Sequence, residues 1–275
     1  MLPMAVAAPD TLLTPARAAV LGAVQGLSEF LPISSSAHLY VIPRLLGWQY
    51  GGLSFDVALH GGTLVALLVA FGRDWLRLAA DALGPTGERR SDARHMWLWL
   101  VVATIPGAIA GKLLEKSAEE HLRSLPLQAA LLVVFGFLLW FVDRMMSPGN
   151  DGRRPGWGAA IGMGLAQMLA LVPGVSRSGI TITAGRASGF SRLAAARLSF
   201  LLATPITLGA VLLEGRHMVL DVAPAALAAG VITSALVGIL AIRGLLRWLA
   251  HAGFGVFFAY RVALALVIVL SMFRH

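Results

Sequence analysis

Gln25-Gly26-Leu27-Ser28-Glu29-Phe30-Leu31-Pro32-Ile33-Ser34-Ser35-Ser36-Ala37-His38 is a polar, proline-broken stretch set inside apolar sequence. Pro32 and the clustered serines stop the helix that the preceding residues would form. A helix broken at membrane depth persists only where its freed backbone groups are buried in protein or line a polar cavity. The apolar flanks therefore read, over 18–42, as a re-entrant hairpin. A second interrupted stretch, 157–185, carries Val172-Pro173-Gly174-Val175-Ser176-Arg177-Ser178, which aligns with Leu31-Pro32-Ile33-Ser34-Ser35-Ser36 with one inserted glycine. The two motifs lie about 140 residues apart, half of the 275-residue chain.

Composition agrees with a membrane setting. The chain is 57% hydrophobic and 13% charged, with mean hydropathy +0.78, whereas soluble domains carry roughly 25% charged residues. Uninterrupted apolar segments at 53–72, 96–112, 125–142, 198–213, 223–242 and 254–272 read as six crossings. The fold class is thus all-α and polytopic, a single integral membrane domain over 1–275 with repeat 1 at about 12–145 and repeat 2 at about 155–275. Each half is a hairpin followed by three crossings, with Thr63 and Thr204 at similar places in the first. Three is odd, so the second half begins on the opposite side, and inverted-topology repeats with hairpin tips meeting near the midplane follow.

The net charge of +8 does not point to nucleic acid, because the arginines sit between apolar segments. Thirteen basic residues are assigned to one face: Arg73, Arg77, Arg89, Arg90, Arg94, Arg144, Arg153, Arg154, Arg186, Arg192, Arg197, Arg243 and Arg247. Seven fall on the other: Arg17, Arg44, Lys112, Lys116, Arg123, Arg216 and Arg274. The positive-inside rule makes the thirteen-residue face cytoplasmic and opens the first hairpin outward. Arg177 and Arg261 are left inside the membrane. The absence of cysteine excludes disulfides and thiolate metal sites, and Met1 to Leu13 show no cleavable signal.

Glu29 is the most informative residue, since an ionisable group in an apolar segment faces a cavity or a partner. Gln25 lies one helical turn before it on the same face. Ser34, Ser35, Ser36 and His38 put hydroxyls and an imidazole just beyond the break. They suit phosphate binding or attack on phosphorus, or else they satisfy the broken backbone. Arg177, set among Ser176, Ser178 and Thr181, presents a planar fork of donors that matches phosphate, or pairs with Glu29 across the repeat. Asp56 and His60 could support the site but read rather as a helix-end ion pair or backbone bond, Arg261 as snorkelling or structurally paired, and Trp97 with Trp99 as an interfacial anchor. His95, His121, His217 and His251 lack metal-ligand spacing, and Glu115, Lys116, Glu119 and Glu120 read as a solvated loop.

The motifs Gln25-Gly26-Leu27-Ser28-Glu29, Ser34-Ser35-Ser36-Ala37-His38 and Pro173-Gly174-Val175-Ser176-Arg177-Ser178-Gly179-Ile180-Thr181 resemble the bacitracin-resistance (BacA) family of undecaprenyl-diphosphate phosphatases over nearly the whole chain. The resemblance implies six membrane helices with two re-entrant hairpins, a bacterial cytoplasmic-membrane location, and removal of one phosphate from a polyprenyl diphosphate with Mg2+ or Ca2+. It also implies recycling of the cell-wall lipid carrier, and a homodimer. It makes Glu29 the essential carboxylate and Arg177 the phosphate clamp. Ser35 and His38 become the candidate nucleophiles or acid/base groups, and Ser34, Ser36, Ser176, Ser178 and Thr181 the phosphate lining. Gln25 stands where many members have glutamate, which removes one carboxylate from metal or proton work, so Glu29 and Gln25 are the candidate metal ligands. Ala37 replaces a common glycine. A flippase or secondary transporter shares the architecture, and the Ser, His and Arg constellation favours phosphoryl chemistry over it. The acid-phosphatase-like lipid phosphatases are a weaker match, because their remaining motifs are missing.

Overall fold

The structure is a computed structural model that describes residues 13–48, 51–121, 124–147, 149, 152, 154–216 and 222–273, with the backbone alone for 114–121. Expectations for the N-terminal stretch 1–12, for the side chains of Glu115, Lys116, Glu119, Glu120 and His121, and for Arg123, Arg153, His217 and Arg274 lie outside that description.

The described residues form ten helices. The first half contains α1 (Pro15–Phe30), α2 (Ser35–Leu45), α3 (Gly52–Leu83), α4 (Glu88–His121) and α5 (Leu125–Met145). The second contains α6 (Trp157–Leu169), α7 (Arg177–Ala187), α8 (Arg192–Gly215), α9 (Pro224–Leu249) and α10 (Gly255–Met272). Six of them, α3, α4, α5, α8, α9 and α10, are long and apolar enough to cross a membrane. The two broken stretches form the helix pairs α1–α2 and α6–α7, which are too short to cross singly. Several spans outrun the apolar segments that announce them. Apolarity marks the bilayer, whereas α3 continues past residue 72 through Arg73, Asp74 and Arg77, with good helix formers such as Arg and Leu carrying it on.

The packing repeats between halves. α1 lies along α9 and α6 along α4; α3 packs on α9 and α4 on α8; α3 meets α8, and α5 meets α10. Exchanging the halves maps this set of contacts onto itself. The centre is apolar, with Phe30 edge-on to Phe200 at 5.6 Å and Phe71 against the same ring at 6.0 Å.

Helix pairs in lipid gain little from the hydrophobic effect and associate through small residues that let backbones approach. The α1–α9 contact is of this kind. A Cβ on Gly26 would come within 2.5 Å of the Ser234 carbonyl oxygen and 2.8 Å of the Gly238 nitrogen, and one on Gly22 would strike the Gly230 carbonyl. Because α1 carries Glu29, this approach sets the depth of the carboxylate. Gly26→Val is expected to cost roughly 1–3 kcal/mol through overpacking, measured as a lower thermal midpoint in detergent together with lower activity.

Burial refines one sequence reading and corrects another. Arg186, assigned to the basic face, lies at the same end as Arg144 and Arg192 but is buried inside the bundle. Its Nε lies 3.0 Å from Asp143 Oδ1, and its other nitrogens donate to the carbonyls of Phe190, Met146 and Ser147. Asp143 also accepts from Arg192 at 2.8 Å. This network ties the end of α7 to α5, and breaking such a buried pair costs about 3–5 kcal/mol. Trp99 is wholly buried and donates to the Gly156 carbonyl at 3.1 Å, so it pins the start of α6; Trp97 alone keeps the exposed position expected of an anchor.

Candidate active site

Both hairpins turn in the same way. α1 ends at Phe30, and Ser34 takes φ 74° before α2 begins at Ser35. α6 ends at Leu169, and Ser176 takes φ 74° before α7 begins at Arg177. These are the two non-glycine residues with positive φ among the described residues. Such backbone strain concentrates at functional sites. Each serine pairs with the hydroxyl two residues on: Ser34 with Ser36 at 3.2 Å, Ser176 with Ser178 at 3.3 Å. Gly174, at φ 100°, is required because a Cβ there would press on the Gln128 carbonyl.

The broken backbone is satisfied from α10. Arg261 is fully buried, and its guanidinium donates to the carbonyls of Gly174 at 2.6 Å, Val175 at 3.0 Å, Leu131 at 3.4 Å and Pro32 at 3.5 Å. It is therefore structurally paired rather than snorkelling, and it touches the turns of both hairpins. Ser178 adds a second tie, donating to the Leu31 carbonyl at 3.2 Å.

At the junction, Glu29 is buried and contacted from four elements. Arg177 Nη2 lies 2.6 Å from its Oε1. Ser35 Oγ donates to its Oε2 at 2.6 Å, and Gln25 Nε2 donates to the same oxygen at 3.2 Å. His60 Nε2 stands 3.5 Å from Oε2, while its Nδ1 is 2.8 Å from the Asp56 carbonyl oxygen. Arg177 Nη1 is buried without a protein partner. A cavity of about 210 Å³ opens beside these groups. Glu29, Ser34, Ser35, Ser36, His60, Ser176 and Arg177 form its polar lining. Gly107, Gln167, Ala170, Leu171, Ile206, Thr207 and Ala210 complete the wall. The amino ends of α2 and α7 both meet it, and helix amino ends favour anions through free N–H groups and the helix dipole.

The sequence readings sort plainly. Glu29, Ser34, Ser35, Ser36, Ser176 and Arg177 come together at the cavity. His38 does not: its Nδ1 is 2.7 Å from the Ser34 carbonyl oxygen, its Nε2 is 2.7 Å from the Tyr260 hydroxyl, and its ring stacks on that tyrosine. With both ring nitrogens engaged, it holds the strained turn before Ser35. Thr181 is also turned inward, donating to the Arg177 carbonyl at 2.8 Å and pairing with the Ser199 hydroxyl at 2.6 Å, so it fixes α7 to α8. Ser178 links the hairpins rather than lining the cavity. Gln25 reaches the site through Glu29. His60 keeps the backbone bond to Asp56 expected at the helix end and also turns its Nε2 toward Glu29 and the cavity. Gln167, Thr207 and Tyr260 were not singled out. The one signal for Gln167 was a carboxamide inside an apolar helix.

Among the described residues, no three or more His, Cys, Asp or Glu side chains converge as a metal cage. Oxygens that could meet a cation near the site are those of Glu29 and the lining serine hydroxyls, with the unpartnered Oε1 of Gln25 one helical turn before Glu29. That set suits an ion carried in on phosphate oxygens, as Mg2+ commonly is.

Comparison with known proteins places the chain in a family. The family model described as bacitracin resistance protein BacA matches residues 18–267. A Pelotomaculum thermopropionicum protein named undecaprenyl-diphosphatase is 46% identical over 260 residues, 94% of this chain and 97% of its own. Its namesake from Desulforudis audaxviator is 48% identical over 263 residues, 95% of this chain and 100% of its own. One from Gemmatimonas aurantiaca is 48% identical over 255 residues, covering 92% and 96%. A match of this extent, through both hairpins and all six spans, makes the chain a member of the bacitracin resistance protein BacA family.

Proposed function

We propose that the protein hydrolyses undecaprenyl diphosphate to undecaprenyl phosphate and inorganic phosphate within the membrane, recycling the lipid carrier of cell-wall synthesis and conferring bacitracin resistance. The observation that carries this reading is the hydrogen bond from Ser35 Oγ to Glu29 Oε2 at 2.6 Å beside an arginine whose second nitrogen is unpaired. A lipid flippase needs to hold and release a headgroup. It has no use for a hydroxyl already bonded to a carboxylate that is fixed from a second side by Arg177.

In the proposed reaction Ser35 Oγ attacks the terminal phosphorus and Glu29 Oε2 takes its proton. The bond from phosphorus to the bridging oxygen breaks, and undecaprenyl phosphate leaves with the electron pair. Glu29 passes the proton it took from Ser35 to the departing undecaprenyl phosphate. A water then attacks the phosphoserine, Glu29 accepts the water's proton and returns it to Ser35 Oγ as the phosphorus–Oγ bond breaks, and inorganic phosphate is released. Arg177 Nη1 and the amino ends of α2 and α7 stabilise charge on the transferring phosphoryl oxygens. His60 holds Glu29 from α3, and His38 with Tyr260 holds the turn that aims Ser35.

Glu29 and Gln25 Oε1 would hold Mg2+ or Ca2+ together with the diphosphate. When bound, the cation supplies neutralisation of phosphate charge. Chelation by EDTA is expected to lower phosphate release from farnesyl or undecaprenyl diphosphate at least tenfold, with restoration by Mg2+ or Ca2+. Full activity after exhaustive chelation rejects the cation requirement.

We further propose that the halves are inverted repeats, that the basic end faces the cytoplasm, and that the first hairpin opens outward. Supporting this are the exchangeable helix pairings and the gathering of arginines by Arg197–Asp74 at 2.8 Å and Arg154–Asp92 at 3.0 Å. A homodimer follows from family resemblance.

A further inference from the structure

Gln167 is a polar side chain of the cavity wall that the reaction above leaves unused, and both ends of its carboxamide lack a protein partner. It sits on α6, 3% exposed, with its carboxamide oxygen and nitrogen both buried. Leaving a buried amide unbonded is destabilising, so an apolar residue would suit the helix better unless the group has a ligand. Its position is also made room for. A Cβ on Gly107 of α4 would come within 2.7 Å of Gln167 Nε2, so the absence of a side chain there lets the carboxamide lie flat against α4.

The cavity has two unlike sides. The reacting groups come from α1, α2, α3 and α7. The wall from α4, α6 and α8 is apolar except for Gln167 and Thr207. A polyprenyl diphosphate has the same polarity: a terminal phosphate that is transferred, then a second phosphate that stays on the lipid, then hydrocarbon. With the terminal phosphate at Ser35 and Arg177, a second phosphate directed toward the hydrocarbon side would meet a wall on which Gln167 and Thr207 are the polar side chains.

We propose that Gln167 is a substrate-contacting residue whose Nε2 donates to the lipid-side phosphate, the one retained in the product; this rests on the diphosphatase reading above. Gln167 then recognises the prenyl monophosphate as well as the diphosphate. It has no contact with the transferred phosphoryl group.

The test uses the full chain purified in detergent, with farnesyl diphosphate as substrate and farnesyl monophosphate or inorganic phosphate as inhibitor. Gln167→Leu is expected to raise KM for the diphosphate and weaken inhibition by farnesyl monophosphate, each about tenfold, as loss of one charge-assisted hydrogen bond implies. Inhibition by inorganic phosphate should stay within about twofold, and the thermal midpoint should hold or rise because an unpaired amide is removed. Gln167→Glu should bind the monophosphate more weakly still, through repulsion, and Gly107→Ala should reproduce the KM increase by displacing the carboxamide. Unchanged inhibition by farnesyl monophosphate in Gln167→Leu overturns the proposal. So does an equal loss for both inhibitors, or a fall in thermal midpoint that accounts for the loss. A parent protein that releases no phosphate from either prenyl diphosphate removes the diphosphatase reading itself, whereas an active parent with an unaffected Gln167→Leu removes this inference alone.

Discussion

Arg177→Ala is expected to lower kcat for undecaprenyl diphosphate by about 10³-fold or more, read as phosphate release from protein purified in detergent. Removing a preorganised donor from a charge-stabilising site costs about 10²–10³ in rate, and arginines that serve phosphoryl transfer are worth about 10³–10⁵. This arginine has a second role that pushes the loss toward the upper end. Its Nη2 holds Glu29 Oε1 at 2.6 Å, so the variant leaves a buried carboxylate without its cation. Arg177→Lys separates the two roles. Lysine restores the charge without the fork, so it can pair with Glu29 or with phosphate but not with both. Recovery of less than a tenth of the parental kcat is expected, with the thermal midpoint restored. A lysine variant as active as the parent would mean that charge alone suffices and that the bidentate geometry is incidental.

Ser35→Ala has the largest expected effect, a fall in kcat of at least about 10⁴-fold, as removal of a nucleophile typically produces. The change deletes a single oxygen. The Glu29–Arg177 pair and the Arg261 contacts to the hairpin turns do not involve that atom, so stability and inhibitor binding should be preserved. Inhibition by inorganic phosphate within a few fold of the parent, at negligible turnover, is the outcome that assigns Ser35 to chemistry rather than to binding. A Ser35→Ala protein retaining a tenth of the parental rate would place the attacking group elsewhere.

Much of this site was legible because its signals are local. A proline followed by a serine run inside apolar sequence marks a break where a lone proline, as at Pro106 and Pro205, does not, and a break in lipid requires a polar enclosure. The same pattern half a chain later supplied the second hairpin, and a lone carboxylate in one with a lone guanidinium in the other suggested their meeting. Glu29 and Arg177, 148 positions apart in sequence, do meet. The hairpin bounds also followed closely, since α1–α2 and α6–α7 fill 15–45 and 157–187.

What failed to show depended on rotation and on distant partners. His38 and Thr181 belong to the right motifs, yet each residue along a helix turns about 100°, so the cavity receives mainly the capping and first residues. Ser35 and Arg177 hold those first positions. His38 is claimed by Tyr260 from α10, 222 positions away, and no spacing announces such a pair. His60 looked like an ordinary helix-end group because its ligand, Glu29, reaches it from α1 by tertiary packing. Arg186 shares one sequence reading with Arg197 and Arg154, yet they are exposed and it is buried; its partner Asp143 lies in α5, and only the folded contact tells them apart.

The most direct test of the central claim is the fate of the transferred phosphoryl group. Protein mixed with undecaprenyl diphosphate labelled at the terminal phosphate, acid-quenched before steady state and digested, is expected to carry the label on the peptide containing Ser35. The label should be absent in Ser35→Ala and Arg177→Ala. Label that appears solely in inorganic phosphate, with inversion of configuration at phosphorus, would contradict it, because water would then have attacked directly and Ser35 would only bind.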